Sequence, residues 1–266
     1  MSASGLFTST ASFYGAYRSD VPTSVADLLS AAAPTAPAGH PRRLLDVGTG
    51  TGFVIRALVP PFDEAIGVDP DGELLAAAVE DLSTEIRDGR VSLRPGTAED
   101  FTVPDGWRAH LVTVCRAFHW FDRTRFLARA RDVLEPDGML AVFGDRSVWA
   151  ADATWKETAL DVVREFLGDE RRAGSDTYRR PTRDYADELR TAEFRDVRRQ
   201  RVPVRRTRTV ESVIGYLHST SFASLAVLGE QADTFDDRLR ERLTPLVDED
   251  GVLVDDNAFD VVTGRH

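Results

Sequence analysis

One cysteine, Cys115, stands in a chain of 266 residues, which excludes an intrachain disulfide and a cysteine-based zinc cluster. Lysine is as scarce, Lys156 being the one lysine among 33 basic residues. That arginine bias points to a GC-rich coding sequence and says little about chemistry. The 44 acidic residues outnumber the basic ones, for a net charge of −11, so a general affinity for the polyanionic backbone of nucleic acid is not expected. Also missing are a charged segment followed by an apolar signal core, and any run long enough to span a bilayer. The chain therefore reads as soluble and cytoplasmic, with no membrane partner. His218, Ser219 and Ser221 come with no GxSxG elbow and with no acid spaced to orient the histidine, so hydrolysis is not the expected chemistry. No internal repeat is visible.

What is present is concentrated at Leu44 to Val54, LLDVGTGTGFV. A short apolar run closed by an aspartate, a Gly-rich turn and a second apolar stretch describe a strand, a tight loop and a helix, the opening unit of an α/β sheet. Ligands in such folds bind beyond the carboxyl ends of the strands. Gly48, Gly50 and Gly52 lack the Cβ that would keep a ligand off the main chain. A dinucleotide fingerprint, GxGxxG, needs its third glycine at position 53 or 55; these are Phe53 and Ile55. The spacing that fits is DxGxGxG, at Asp46, Gly48, Gly50 and Gly52. It resembles motif I of the class I S-adenosylmethionine-dependent methyltransferases. The resemblance implies a loop that holds the amino-acid end of S-adenosylmethionine, since an acidic side chain attracts an ammonium, directly or through water, and bare N–H groups suit a carboxylate.

The following segments add to this in order. Glu64 to Asp69, EAIGVD, reads as a second buried strand ending in an acid, with Pro70 next and an amphipathic stretch over Leu74 to Ile86. A carboxylate there can accept both hydroxyl protons of a ribose, a feature shared with dinucleotide folds. A third strand over Arg90 to Arg94 leads into GTAEDF, Gly96 to Phe101. That segment resembles the methyltransferase stretch lining the adenine ring. Many relatives carry aspartate where this chain has Thr97, which leaves the Ala98 backbone, Glu99 or Asp100 for the adenine contact. A fourth strand, His110 to Val114, runs into CRAFHWFD, Cys115 to Asp122. This resembles the post-strand motif of small-molecule methyltransferases of the trans-aconitate and juvenile hormone acid type. The resemblance implies that His119 and Trp120 orient the acceptor, that Phe118 or Trp120 offers an aromatic face to the sulfonium, and that Arg116 lines the cofactor. An indole N–H can donate to a carboxylate and an aromatic face attracts a cation; Phe121 reads as a core residue. Ahead of the core, SFYGAYRSDVP, Ser12 to Pro22, resembles a lid segment of the same relatives, which puts Tyr14, Tyr17 and Arg18 near the methionine moiety. Proline and tyrosine are usual where this chain has Ser19 and Val21.

The organisation that follows is a single α/β domain: a Rossmann-like, doubly wound seven-stranded sheet, mostly parallel with one antiparallel strand, carrying a helical cap insertion. Residues 1–40 form the amino-terminal lid and linker, 41–145 the cofactor-binding core, and 146–266 the cap and the completion of the sheet. The expected elements include a helix at Ser24 to Ala31, a Pro/Ala/Gly linker to Pro41, and a fifth strand, Met139 to Phe143, after the turn at Pro136 to Gly138. Cap helices are expected at Lys156 to Leu167 and Thr182 to Thr191, with a loop between them at Asp169 to Arg180. Strands follow at Val197 to Arg206 and Ala258 to Gly264, the latter antiparallel. GYLHSTSF, Gly215 to Phe222, resembles a helical segment near the pocket. The seven arginines of Arg195 to Arg208 read as charged gatekeepers of a strand near a sheet edge, not as a binding patch.

The expected activity is direct in-line methyl transfer from S-adenosylmethionine to a small organic molecule, a carboxylate or a natural-product hydroxyl, by a monomer or homodimer with no metal. A phenol or alcohol acceptor would call on His119 or His218 as base. The alternatives are an NAD(P)-dependent oxidoreductase and a non-catalytic module that senses the cofactor.

Overall fold

The computed structural model describes residues 17, 20–168, 172–173, 176–177 and 184–266. Helix α1, Thr23–Ala32, buries Val25, Ala26 and Leu29, one stripe at helical spacing. It stops at Ala33, whose backbone is extended, as expected of a residue before proline. β1, Arg43–Val47, then enters the centre of the fold, and the glycine loop hands over to α2, Phe53–Leu58. β2 is Glu64–Asp69. The amphipathic stretch expected to run from Leu74 to Ile86 is two helices, α3 at Gly72–Asp81 and α4 at Ser83–Arg87. Asp71 caps α3 by accepting the N–H groups of Glu73 and Leu74. At the break, Leu82 is buried and packs where a side chain on Gly52 would stand.

β3, Val91–Pro95, β4, Ala109–Cys115, α5, Arg123–Val133, and β5, Leu134–Asp145, complete the parallel half. The turn expected at Pro136 to Gly138 lies inside β5. Asp137 has φ +65°, and the pairing with β4 shifts between Ala109 and Leu111. After α6, Thr154–Leu167, come two short strands, β6 at Arg172–Ala173 and β7 at Asp176–Thr177, and α7, Tyr185–Thr191. The chain continues through β8, Arg195–Arg208, α8, Val210–His218, α9, Leu225–Leu228, and α10, Ala232–Leu243. It closes with β9, Leu253–Arg265.

Among the described residues the main sheet has seven strands in the order β3-β2-β1-β4-β5-β9-β8. β1 to β5 are parallel, and β9 is antiparallel to both of its neighbours. Register puts Leu45 beside Ile66 and Val112, so the central strands present continuous apolar runs to helices on both faces. One face buries Leu45, Val112, Phe118, Phe126 and Leu189; the other buries Leu44, Ile55, Leu58, Phe143 and Phe259. Each such side chain contributes about 1.5–3 kcal/mol by leaving water.

A third cluster joins α6, α8 and α10 through Leu160, Val163, Val213, Leu217, Phe235 and Leu239. These helices form the cap; of the two helices expected there it holds α6, whereas α7 packs through Ala186 and Leu189 on the sheet face beside Phe118 and Phe126. Lys156, fully buried, ties the cap to β9 by an ion pair with Asp255 at 2.7 Å and also pairs with Asp152, just ahead of α6, at 2.8 Å. Trp155 donates its indole N–H to the Val254 carbonyl at 2.8 Å.

β8 lies at the sheet edge, and five of its seven arginines are paired with the chain's own acids: Arg195 with Asp137, Arg199 with Asp184, Arg205 with Asp256, Arg206 with Asp145 and Arg208 with Asp255. That is the arrangement of edge gatekeepers. Among the described residues no helix is long and apolar enough to cross a membrane, and no group of His, Cys, Asp or Glu could hold a metal ion.

Candidate active site

The glycine loop bends back over the sheet because Gly48, Gly50 and Gly52 all adopt the left-handed backbone, φ +75°, +54° and +84°. Gly48 and Thr49 donate their N–H groups to the Val68 carbonyl at 2.8 and 3.0 Å, which pins the loop across the end of β2. Close approach matters as much as torsion. A Cβ on Gly48 would lie 2.6 Å from Cβ of Ala117 and 3.4 Å from the Phe121 ring. The turn after β4 therefore rests directly on the glycine loop, and Phe121, expected in the core, puts one ring edge at that junction.

Asp46 is fully buried beneath the loop. Its Oδ1 accepts the Thr113 hydroxyl at 2.7 Å, while Oδ2 is buried with no hydrogen-bond partner. Burial pushes its pKa up to about 6 against the Thr113 hydroxyl, and the Asp69 charge pushes the same way as burial. Asp69, at the end of β2, has both oxygens engaged. Oδ2 accepts the Gly50 N–H at 2.8 Å and Oδ1 the Asp71 N–H at 2.9 Å. Burial raises its pKa as well, opposed by those two N–H groups. Each oxygen keeps a second lone pair. Pro70 follows, half-buried.

At the end of β3, Gly96 donates to the Asp69 carbonyl at 3.1 Å, holding the next loop against this acid. Of its adenine candidates, Glu99 accepts the Asp122 N–H at 2.8 Å and Asp100 pairs with Arg125 at 3.0 Å. Thr97 instead keeps a buried hydroxyl with no partner, next to buried Ala98.

After β4, His119 and Trp120 stand in a one-turn 3-10 helix, Phe118–Trp120. Their rings are half-buried and 4.6 Å apart. Phe118 points the other way and is buried edge-to-face against Tyr185 at 4.9 Å and Phe126 at 5.9 Å. Of the two aromatic candidates, Phe118 and Trp120, Trp120 is the less buried. Arg116 adopts φ +57°, and its guanidinium turns towards β5 and β9, meeting Asp145 at 2.6 Å over the Phe259 ring. Burial alone would raise the pKa of Asp145, but Arg116 and Arg206 hold it well below the usual carboxylate range. Tyr17 is half-buried, and Arg18 and Tyr14 lie outside the described residues.

Three partners escape a reading of the sequence. Thr113 is the cross-strand neighbour of Asp46, and its signal is a single hydroxyl within an apolar strand. Asp145 takes two arginines remote in sequence. His218, for which the sequence offers no orienting acid, has one in Asp236 at 2.8 Å, with the Ala223 carbonyl 3.1 Å from its other nitrogen. Both nitrogens are so engaged, and the ring is buried among the cap helices. This makes His218 a clamp within the cap and removes it as a general base.

Asp46, Asp69, Thr97 and the His119–Trp120 pair thus stand at the carboxyl ends of β1 to β4, with two acids under a loop whose Gly48, Thr49 and Gly50 N–H groups are taken up by the Val68 carbonyl and Asp69. That floor attracts an ammonium or sulfonium and repels a pyrophosphate. The positions where a dinucleotide loop needs its third glycine are Phe53 and Ile55, both buried in α2.

Comparison with known proteins agrees. Residues 45–142 match the family described as a methyltransferase domain. A methyltransferase of Mycobacterium sp. strain KMS is 34% identical over 187 residues, which cover 67% of each chain. A protein of Saccharomyces cerevisiae named as an S-adenosylmethionine-dependent methyltransferase is 27% identical over 103 residues, 39% of this chain and 35% of that one. Several of the curated relatives are thus matched over less than half of their length. In fold, the chain is similar to a protein described as a type II methyltransferase from Anaeromyxobacter dehalogenans, with a TM-score of 0.60, 21% identity and coverage of 94% and 97%. Fold, glycine loop and kinship together place this chain in the class I S-adenosylmethionine-dependent methyltransferases.

Proposed function

We propose that the chain methylates a small organic molecule, a carboxylate or a natural-product hydroxyl, at the cleft above β1 to β4. The observation that supports this most is the pair of buried acids meeting one glycine loop: Asp69 accepts the Gly50 N–H, and Asp46 keeps an oxygen with no donor. These residues fit S-adenosylmethionine. Asp46 Oδ2 would attract the ammonium, directly or through water, the glycines without side chains would let the methionine end lie against the loop, Asp69 would accept from the ribose, and Thr97 with Ala98 would meet the adenine. When bound, the cofactor supplies an electrophilic methyl group on a good leaving group, which an acceptor displaces in line.

The protein's part is alignment and exclusion of water. Tyr17 and Arg18 would close over the methionine end. Trp120 would orient a carboxylate by its indole N–H or face the sulfonium, and His119 beside it would contact the acceptor or take the proton of a hydroxyl. A carboxylate acceptor needs no base at neutral pH. The cap of α6, α8 and α10 would roof the acceptor. The test is transfer of labelled methyl groups to a panel of organic acids and phenols. Methyl ester formation that falls at least tenfold in His119→Ala or Trp120→Ala supports the assignment. Turnover unchanged in both variants contradicts it.

A further inference from the structure

Arg206 stands apart from the arginines that guard the edge of β8. Arg195, Arg199 and Arg205 are at least half exposed, whereas the Arg206 side chain is 16% exposed. Its Nη1 donates to Asp145 Oδ2 at 3.0 Å, while Arg116 Nε donates to Oδ1 of the same carboxylate at 2.6 Å. Both guanidiniums lie against the Phe259 ring, at 5.6 and 5.3 Å. Arg206 Nη2 is buried with no hydrogen-bond partner. A donor on a charged group that is left unmet out of water is costly, so this position calls for an acceptor that the chain itself does not supply.

The nearby acids are already engaged. Asp145 divides its two oxygens between Arg116 and Arg206, Asp255 takes Lys156 and Arg208, and Asp152 takes Lys156 and Arg146. Among the described residues these ion pairs set five bases against three acids, in a chain whose net charge is −11. The excess is positive where the protein as a whole is negative.

Topology puts this cluster beside the proposed acceptor site. β5 and β8 both run antiparallel to β9, so Arg206, two residues from the end of β8, stands at the same carboxyl edge as Asp145, the last residue of β5. Arg116 stands two residues ahead of the turn that carries His119 and Trp120. On the other side is the cap: Asp255, the cross-strand neighbour of Arg206, holds Lys156 of α6, and Arg208 lies over Tyr216 of α8 at 5.1 Å. Arg206 is thus tied through Asp145 and Arg116 to the turn, and through its strand neighbours to the cap.

We propose that Arg206 is a specificity-determining residue whose Nη2 donates to a carboxylate of the acceptor, so that the molecule methylated is an organic acid and not a neutral hydroxyl compound. The inference rests on the proposed function, whose acceptor it narrows to one class.

The test is labelled methyl transfer to matched probes, benzoate, cinnamate and octanoate against phenol, cinnamyl alcohol and octanol, by wild type, Arg206→Met and Arg206→Lys. Each protein is also given a melting curve and a titration with S-adenosylhomocysteine. The expected result is transfer to the acids, a KM for them that rises about tenfold in Arg206→Met, and a kcat and S-adenosylhomocysteine affinity within about threefold of wild type. Arg206→Lys keeps the charge beside Asp145 and loses the second arm of the fork; it provides a folded variant if Arg206→Met fails to fold, and its KM for the acids should rise in the same direction. An unchanged KM in a folded variant would overturn the proposal. So would a loss of kcat and S-adenosylhomocysteine affinity together with KM, which is the mark of a merely structural arginine. Wild-type transfer to the hydroxyl probes and not to the acids would overturn the role of Arg206 while leaving the proposed function in place, whereas no transfer to any probe would remove both.

Discussion

Thr113 donates its hydroxyl to Asp46 Oδ1 across 2.7 Å, in a fully buried step where β4 and β1 run side by side. The bond fixes one oxygen of the acid under the glycine loop and leaves the other for the loop and its ligand. The hydroxyl thus serves the acid the family motif singles out, although it lies on a different strand.

Replacing Thr113 with valine keeps shape and volume and strands a buried carboxylate oxygen. The expected cost is about 1–3 kcal/mol of folding stability at neutral pH, read as a lower midpoint in urea, with weaker binding of S-adenosylhomocysteine. A midpoint unchanged from wild type would mean that the bond carries no net stability.

Asp46 also makes a pH prediction. Its folded pKa of about 6 lies above the ordinary 3.8, so between those values the folded state holds a proton that the unfolded state has released. The contribution of this group is fully present below pH ~4 and is lost as pH rises through ~6. Asp46→Asn removes the titration. At pH 7.5 the variant should be more stable than wild type by up to roughly 3 kcal/mol, with the difference vanishing near pH 4, while its affinity for S-adenosylhomocysteine falls. A difference that is constant across that range would contradict the burial argument.

The same residues show what a reader of the sequence could and could not see. The LLDVGTGTGFV run specifies β1, the loop and α2 because apolar runs and glycines act locally. Alternation marks strands at Val197 to Arg206 and Ala258 to Gly264, which lie within β8 and β9, while their pairing and the order of the strands come from the folded sheet. What stayed hidden depends on distant pairing. Thr113 with Asp46, Asp236 with His218 and Asp145 with Arg116 and Arg206 all join residues that only the folded sheet or cap brings together. The aromatic run after β4 was ambiguous for the same reason: which of Phe118, Trp120 and Phe121 faces inward is decided by the 3-10 turn, and composition does not encode that turn.

Gly48 and Gly39 separate backbone strain from close approach. Both have φ near +80°, but a Cβ on Gly39 meets nothing within 4 Å, whereas one on Gly48 meets Ala117 at 2.6 Å. Gly39→Ala should cost about 1–2 kcal/mol of stability and leave ligand binding intact. Gly48→Ala should carry the same strain and, by displacing the turn that bears His119 and Trp120, also abolish measurable S-adenosylhomocysteine binding. Equal binding by the two variants would contradict the contact.

The edge arginines call for a negative result. Arg198→Ser and Arg201→Ser, made together on β8, should leave methyl transfer within about twofold of wild type while raising the tendency to aggregate, measured by light scattering at rising concentration. Loss of turnover with unchanged solubility would show that this strand takes part in binding and is more than a guarded edge.

The central claim, that Asp69 and the glycine loop form a site for S-adenosylmethionine, is tested most directly by calorimetry of the purified chain with S-adenosylhomocysteine, with NAD as the control ligand and Asp69→Asn as the variant. The account predicts micromolar binding of S-adenosylhomocysteine, no heat with NAD, and at least tenfold weaker binding in a variant whose melting curve shows it folded. Binding of NAD, or affinity for S-adenosylhomocysteine unchanged by the substitution, would contradict it.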